Sequence, residues 1–341
     1  MSHRTSRRSR TRLRRAAVAL AAVVASASLA ACGGDGASAD SETTVLKIPD
    51  PGNAGVLAYA KKTGALEKSL ADTGATVEWG GSYASFTATI DAVRSGDVNI
   101  LPGAISPAIG YLSTNDDLKI FAVAPRATDP KAPVSDGLVV PKDSDVTAID
   151  QLVGKSVAVN KGGRGEYLLD RALDAAGIAH DAVEKVYLNP QQAAGAFASG
   201  KVDAWWAIVR GYPAAVEQGA KTLVTAEDVG DDDLSIYAAR TEVVEENPEA
   251  LRAFITTIAA LTEEARQDPE KFQNVFTDSG PTATSGAALA RDTEVERYRT
   301  PYAAVTDADL ATIQQVADYF AENGLISRPV EASAAAVKLG S

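Results

Sequence analysis

Two series of short β-rich runs, each alternating with helical periods, follow one another along this chain. The first series extends from Val45 to Val123, and the second from Ser156 to Thr225. Strands that alternate with helices predict parallel sheets with right-handed crossovers. The series are joined near 136–142 and again near 232–238, and a helical tail returns to the first series. The pattern predicts two α/β lobes that face each other across a cleft.

The two joining segments set the predicted boundaries of these lobes. Lobe 1 is predicted to comprise residues 45–138 and 236–341, and lobe 2 residues 139–235. In lobe 1 a strand is followed by a predicted turn at Pro102-Gly103 and a short helix. In the second joining segment, Asp231-Asp232-Asp233 is predicted to be a solvated turn, since no further oxygen ligands at calcium-loop spacing accompany it.

The first 31 residues have the three parts of a bacterial export signal. Seven arginines and no acid precede Ala16–Leu29, an apolar run too short for a comfortable membrane span. Leu29-Ala30-Ala31-Cys32 resembles the lipobox of bacterial lipoproteins, which implies lipidation of Cys32, the single cysteine of the chain. We therefore predict a signal peptide over 1–31, a flexible tether over 32–44 and a location on the outer face of the cell membrane. Ordinary secretory cleavage is the alternative, and the sequence leaves Sec or twin-arginine export open.

Composition limits the partners and the chemistry that this chain can have. The formal net charge is −12, and it becomes more negative once the arginine-rich signal is removed. Such a charge argues against nucleic acid as a partner, and it leaves lipid at Cys32 as the membrane link. Beyond Cys32 the chain has no cysteine and one histidine, His180, which is predicted to lie in a surface loop. We therefore predict no metal site, no cofactor and no catalytic residue, in a protein that is a monomer.

Polar or glycine-rich loops follow five of the predicted strands. Ligands in open α/β sheets bind beyond the carboxyl ends of strands, so loops at equivalent places favour a shared cleft. The sharpest loop is Asn160–Glu166, where a strand enters a glycine-rich turn and then a helix whose first N–H groups attract anions. A tight turn without any ligand is the alternative. The predicted ligand-binding residues are Asn53, Ser82, Tyr83, Ser85, Gly103, Ala104, Ile105, Gly163, Arg164, Gly165, Val209 and Arg210. Further candidates for shaping the pocket, depending on strand register, are Tyr83, Phe86, Trp206 and Tyr212.

Four segments of the chain resemble one known family. They are Val139–Ser144, Leu152–Gly162, Tyr167–Leu173 and Gly200–Trp205. They are similar to the substrate-binding proteins of ABC importers for aliphatic sulfonates, taurine and nitrate, and the resemblance extends over about Val45 to Phe254. It implies a two-lobe, type II periplasmic-binding-protein fold with two hinge crossings and a helical C-terminal tail. Such a protein closes on a small ligand and delivers it to a membrane permease.

Two departures from that family concern the charge of the ligand. Sulfonate binders usually continue Ile-Trp-Asp-Pro where this chain has Ile208, Val209 and Arg210. Many members carry Gly-Glu or Gly-Asp where this chain has Ala104 and Ile105. A taurine-like ammonium would lack counter-charges here, so the departures favour a more apolar or plainly anionic ligand, held by Arg164 or Arg210. Among small organic anions, the resemblance implies a sulfonate or related organosulfur compound. The alternative is an enzyme on the same scaffold, similar to a desulfinase or a thiamine-pyrimidine synthase, whose cysteine and histidine chemistry this chain lacks apart from His180.

Overall fold

The computed structural model describes residues 43–83, 85–230 and 232–340. The predicted signal peptide, the lipidation of Cys32 and residues 32–42 of the predicted tether lie outside the described residues, so these stay predictions. Thr44, placed at the end of the tether by the sequence, is instead the first residue of a strand. No helix in the described part of the chain is long and apolar enough to cross a membrane.

The elements follow the predicted alternation of strands and helices. The strands are β1 Thr44–Ile48, β2 Ala75–Trp79, β3 Ile100–Ala104, β4 Leu118–Ala124, β5 Gly137–Val140, β6 Ser156–Val159, β7 Glu184–Tyr187, β8 Ala204–Ala207, β9 Lys221–Thr225, β10 Ser235–Arg240 and β11 Ala303–Ala304. The helices are α1 Val56–Thr63, α2 Ala65–Leu70, α3 Phe86–Ser95, α4 Ile105–Leu112, α5 Arg164–Ala175, α6 Pro190–Ala198, α7 Gly211–Glu217, α8 Thr241–Glu246, α9 Pro248–Gln267, α10 Gly286–Tyr298, α11 Asp307–Glu322 and α12 Ala332–Ala335. Short 3-10 turns lie at Ala71–Thr73, Ile149–Leu152, His180–Ala182, Glu227–Val229 and Pro269–Phe272.

Helix α3 shows how the sequence positions these elements. Phe86, Ile90 and Val93 recur at helical spacing and are buried, so that one face of the helix packs on the core. The Ser85 hydroxyl accepts a hydrogen bond from the Ala88 N–H and caps the start of the helix. Gly96 adopts the left-handed conformation that commonly ends a helix.

Two sheets carry most of the strands: the first is antiparallel throughout, and the second is mixed. The first sheet has the order β11-β4-β10-β3, and the second has the order β7-β6-β8-β5-β9. The prediction of parallel sheets is wrong for β5 and β10, which run antiparallel to their neighbours. Both strands come from the joining segments, and neither is preceded by an α-helical crossover of the kind that a parallel pair needs. A separate parallel pair, β1-β2, flanks the first sheet.

The predicted Pro102-Gly103 turn is also wrong. Both residues belong to β3, where Pro102 lies opposite Tyr237 of β10 and Gly103 lies opposite Ile236. Strand β3 is at the edge of the first sheet. An edge strand tolerates proline because its missing N–H can face away from the ladder.

The helical tail packs against the first sheet and against helix α5 of the second series. Phe254 of α9 contacts Phe121 and Tyr237 of the first sheet, with ring centroids 5.9 and 5.0 Å apart. Tyr319 of α11 meets Tyr167 of α5 edge to face at 5.3 Å. Helix α9 of the tail thus lies against the first sheet, whereas α11 contacts the helix that follows β6, and the assignment of the whole tail to lobe 1 stays a prediction. The lobe boundaries stay predictions, and β5 begins two residues before the predicted start of lobe 2.

Candidate ligand-binding cleft

A buried network of two carboxylates and one guanidinium joins loops of the two sheets. Arg164 Nη2 lies 2.8 Å from Asp136 Oδ2, and Arg164 Nη1 lies 3.3 Å from Asp233 Oδ2. Asp233 also accepts hydrogen bonds of 2.6 Å from the N–H and the hydroxyl of Ser106, at the start of α4. Asp136 accepts a hydrogen bond of 2.9 Å from the Val209 N–H. Three of the predicted loops thus meet through these two acids.

Both acids belong to the segments that join the two sheets. Asp136 directly precedes β5, and Asp233 lies two residues before β10; each residue is 4% exposed. The prediction of a solvated turn at 231–233 is therefore wrong for Asp233. Its carboxylate is buried because it pairs with Arg164 and caps α4, where the helix dipole favours negative charge.

This network changes the expected distribution of charge in the cleft. The two departures from the family predict few carboxylates near the ligand, yet the carboxylates of Asp136 and Asp233 lie where the loops meet. The positive charge of Arg164 already faces both of them. We conclude that Arg164 positions the loops, and its contact with a ligand stays a prediction.

The glycine-rich turn before α5 is organised around the side chain of Asn160. Asn160 Oδ1 accepts a hydrogen bond of 3.0 Å from the Gly165 N–H, and a Cβ at Gly165 would lie 2.7 Å from that oxygen. The Gly163 N–H donates to the backbone oxygen of Asn160. The Gly162 N–H donates to Glu166 Oε2 at 2.7 Å. These N–H groups, predicted to attract an anionic ligand, are therefore bound by the chain itself.

The turn after β8 holds two of the predicted residues in unusual environments. Val209 has a φ of 50°, which is rare for a β-branched residue, and it is 63% exposed. Arg210 Nη2 lies 3.6 Å from Asp292 Oδ2 of α10. Arg291, the residue before Asp292, pairs with Glu217 at the end of α7. Helices α7 and α10, which belong to different predicted lobes, are thus connected by two ion pairs.

The remaining predicted residues follow the strands of lobe 1. The Asn53 amide donates to the backbone oxygens of Thr277 and Thr282, so it fixes the segment before α10. Ser82 is exposed, and Tyr83 is partly buried against the core. Ser85 caps α3, and the buried Ile105 begins α4. Gly103 and Ala104 are the last two residues of β3 rather than part of a loop after it.

A cavity of about 480 Å³ lies beside the glycine-rich turn. One wall comes from α3 and α4, including Phe86, Ile90 and Tyr111, and the other from Lys161 after β6 and Tyr187 at the end of β7. Phe86 is among the candidates predicted from the sequence, whereas Lys161 and Tyr187 are not. Lys161 directly precedes the glycine-rich turn, which was an available signal, whereas nothing local marks Tyr187. A second cavity of about 420 Å³ is lined by Asn53, Lys61 and Phe276 among others.

Behind the first cavity lies a cluster of charged side chains on α5 and β7. Lys185 Nζ is 2.6 Å from Asp170 Oδ1, and the Tyr187 hydroxyl donates to Glu166 Oε1 at 2.7 Å. Burial, which outweighs the hydrogen bond from Lys185, raises the pKa of the Asp170 carboxyl. His180 is not a free surface residue, because its Nε2 lies 2.8 Å from Asp174 Oδ1. Within the described ranges, no group of three or more potential metal-ligating side chains occurs.

Comparisons with known proteins identify the relatives of this chain. A family model described as NMT1/THI5 like matches residues 87–272. A protein of Escherichia coli (strain K12) that carries the name of an aliphatic sulfonates-binding protein is 30% identical over 229 residues, which cover 64% of this chain and 70% of that protein. The crystal structure of the periplasmic aliphatic sulphonate binding protein SsuA from Escherichia coli has a TM-score of 0.68 at 25% identity, covering 86% of this chain and 92% of that one.

A second structure is similar in fold over nearly its whole length. The alkanesulfonate-binding protein SsuA from Xanthomonas axonopodis pv. citri, bound to MOPS, has a TM-score of 0.73 at 21% identity, covering 86% of this chain and 98% of that one. The predicted two-lobe α/β fold of periplasmic binding proteins is thereby confirmed. The desulfurization enzyme DSZB has a lower TM-score of 0.57 at 15% identity, which shows a shared fold alone. The comparisons favour a binding protein over an enzyme, and the chain belongs to the NMT1/THI5-like family.

Proposed function

We propose that this protein is an extracytoplasmic solute-binding receptor of an ABC importer, and that it captures a sulfonate or a related organosulfur anion. The observation that supports this proposal most directly is that loops from both sheets meet at one buried ionic network. The cavity beside the glycine-rich turn also has one wall from α3 and α4 and the other from residues of the second series. Similarity to proteins named for aliphatic sulfonates supports this class of ligand.

The receptor performs no chemistry in this account. Its function is to bind one ligand between the lobes and to present the closed form to a permease. The ion pairs of Arg210 with Asp292 and of Arg291 with Glu217 connect helices of the two predicted lobes. We infer that they stabilise the closed form, and that Arg210 reaches the ligand by the same approach of α7 to α10.

We also propose how the receptor is held near its partners. Lipid on Cys32 anchors it to the outer face of the cell membrane, and the residues before β1 act as a tether. The receptor is a monomer that docks on the transmembrane subunits of an ABC permease through the rims of both lobes. This arrangement keeps the captured ligand close to the importer.

A thermal-shift screen tests the proposed function. The purified protein is heated with alkanesulfonates, taurine, arylsulfonates, sulfate esters, nitrate, bicarbonate and thiamine precursors. A ligand that binds only the native state stabilises it by about 2.7 kcal/mol at a concentration 100 times its dissociation constant. We expect the strongest shift with a sulfonate. A shift only with a compound that lacks sulfur, or turnover of any sulfonate, would contradict the proposal.

A further inference from the structure

The cations of the cleft differ in whether the protein itself supplies their counter-charge. Arg164 faces two buried acids, and Arg210 lies near Asp292. In the cavity of about 480 Å³, Arg94 pairs with Asp91 at 3.4 Å. Lys161 also lines this cavity, and among the described residues no carboxylate lies within 4.0 Å of its Nζ.

The surroundings of Lys161 keep its charge directed at the cavity. Its Nζ lies 5.4 Å from the centroid of the Tyr187 ring, close enough for a cation–π interaction. Glu166 also lines the cavity, but its carboxylate is engaged by the Tyr187 hydroxyl and the Gly162 N–H, each at 2.7 Å. The acid nearest in the chain is thus already bound by other groups.

The opposite wall of the cavity carries a group of apolar side chains together with polar residues of α3 and of the segment after α4. Phe86, Ile90 and Tyr111 of α3 and α4 contribute side chains to it, and Leu325 lies beside them. Helix α4 approaches the glycine-rich turn closely, because a Cβ at Gly110 would lie 2.9 Å from the Gly162 backbone oxygen. The cavity therefore has Lys161 and Tyr187 on one wall, and on the other an apolar group beside the paired Arg94 and Asp91 of α3.

We propose that Lys161 Nζ receives the anionic group of the ligand and that the wall of Phe86, Ile90 and Tyr111 receives its organic part. This inference rests on the proposed function and narrows it. The ligand is an organic sulfonate whose hydrocarbon or aromatic portion is larger than the two carbons of taurine. A cavity of this volume falls in the range of about 300–1,000 Å³ that is common for organic ligands.

Calorimetric titration of the purified protein with ethanesulfonate, octanesulfonate and benzenesulfonate tests this assignment. The variant Lys161→Gln removes the charge, and Lys161→Arg keeps it. Lys201→Gln is the matched control, because Lys201 is exposed and lies outside the cavity. Both positions are on the surface, so each of the three variants is expected to unfold at the same urea concentration as the wild type.

We expect the wild type to bind octanesulfonate or benzenesulfonate at least tenfold more tightly than ethanesulfonate. Lys161→Gln should weaken binding of every sulfonate at least tenfold, a change of about 1.4 kcal/mol. Lys161→Arg should weaken it less than threefold, and Lys201→Gln should leave it unchanged. Wild-type binding that survives Lys161→Gln within twofold, or that prefers ethanesulfonate, would overturn the inference and leave the receptor intact. A wild type that binds no sulfonate would overturn both.

Discussion

Replacing Asp233 by alanine tests the buried network most sharply. Its side chain is fully buried, and it accepts two hydrogen bonds of 2.6 Å from Ser106 while pairing with Arg164. The substitution leaves the donors of the fully buried Ser106 without this acceptor, at about 1–3 kcal/mol. Breaking a buried ion pair costs about 3–5 kcal/mol, but Arg164 keeps Asp136 as a partner. We expect Asp233→Ala to lower the free energy of unfolding by about 4 kcal/mol.

Urea denaturation followed by tryptophan fluorescence measures this change by linear extrapolation. Asp232→Ala is the matched control, because its carboxylate is 41% exposed and lies 3.7 Å from Arg171. Exposed pairs contribute about 0–1 kcal/mol, so the control should stay within 1 kcal/mol of the wild type. If Asp233→Ala does not fold, Asp233→Asn, which keeps one acceptor, should still be less stable than the control. Equal midpoints for the Asp233 and Asp232 variants would refute the assigned role of the network.

Three further substitutions test other parts of the account by the same assay. Val209→Gly should stabilise the protein by about 1 kcal/mol, because it removes the steric strain of a valine in the left-handed backbone conformation. A loss of stability would mean that the backbone is not strained at this position. Gly165→Ala should cost about 1–3 kcal/mol because its Cβ would crowd Asn160, while Gly195→Ala, which meets open space in α6, should be neutral or stabilising. Because the pKa of Asp170 is raised, the folded state binds the proton of this carboxyl more tightly than the unfolded chain does. Proton binding therefore adds to the free energy of unfolding below the unfolded pKa of 3.8, and this contribution is lost as pH rises through the folded pKa. The wild type should therefore gain stability relative to Asp170→Asn as pH falls from 7 toward 4. A stability difference that is constant or reversed over this range would contradict the prediction. The neighbouring charged groups that also act on Asp170 are His180, Lys185 and Glu166.

Local sequence patterns predicted most of the elements but not how the joining segments enter the sheets. Strand β6, strand β9 and the start of α3 lie where spacing placed them, because their apolar periods are strong and their ends carry turn residues or caps. The antiparallel insertion of β5 and β10 depends on partners far along the chain. No period of four to six residues encodes the direction of a neighbouring strand.

The candidate site was predicted in part for the same reason. Loops that follow strands were expected to converge, and those at Ser106, Arg164 and Val209 do meet. The acids that join them are separated from their partners by 28 to 127 residues, so no local motif marks them. The glycines of the turn predict space for a ligand close to the backbone, whereas the Asn160 side chain occupies that space at Gly165.

The most direct test of the central claim is the stoichiometry of sulfonate binding to the purified protein. Calorimetric titration with octanesulfonate, followed by recovery of the ligand, measures both affinity and chemical change. We expect saturable binding of one sulfonate per chain and recovery of the compound unaltered. Absence of saturable binding by any sulfonate, or release of sulfite from the recovered compound, would contradict a receptor that only captures and delivers its ligand.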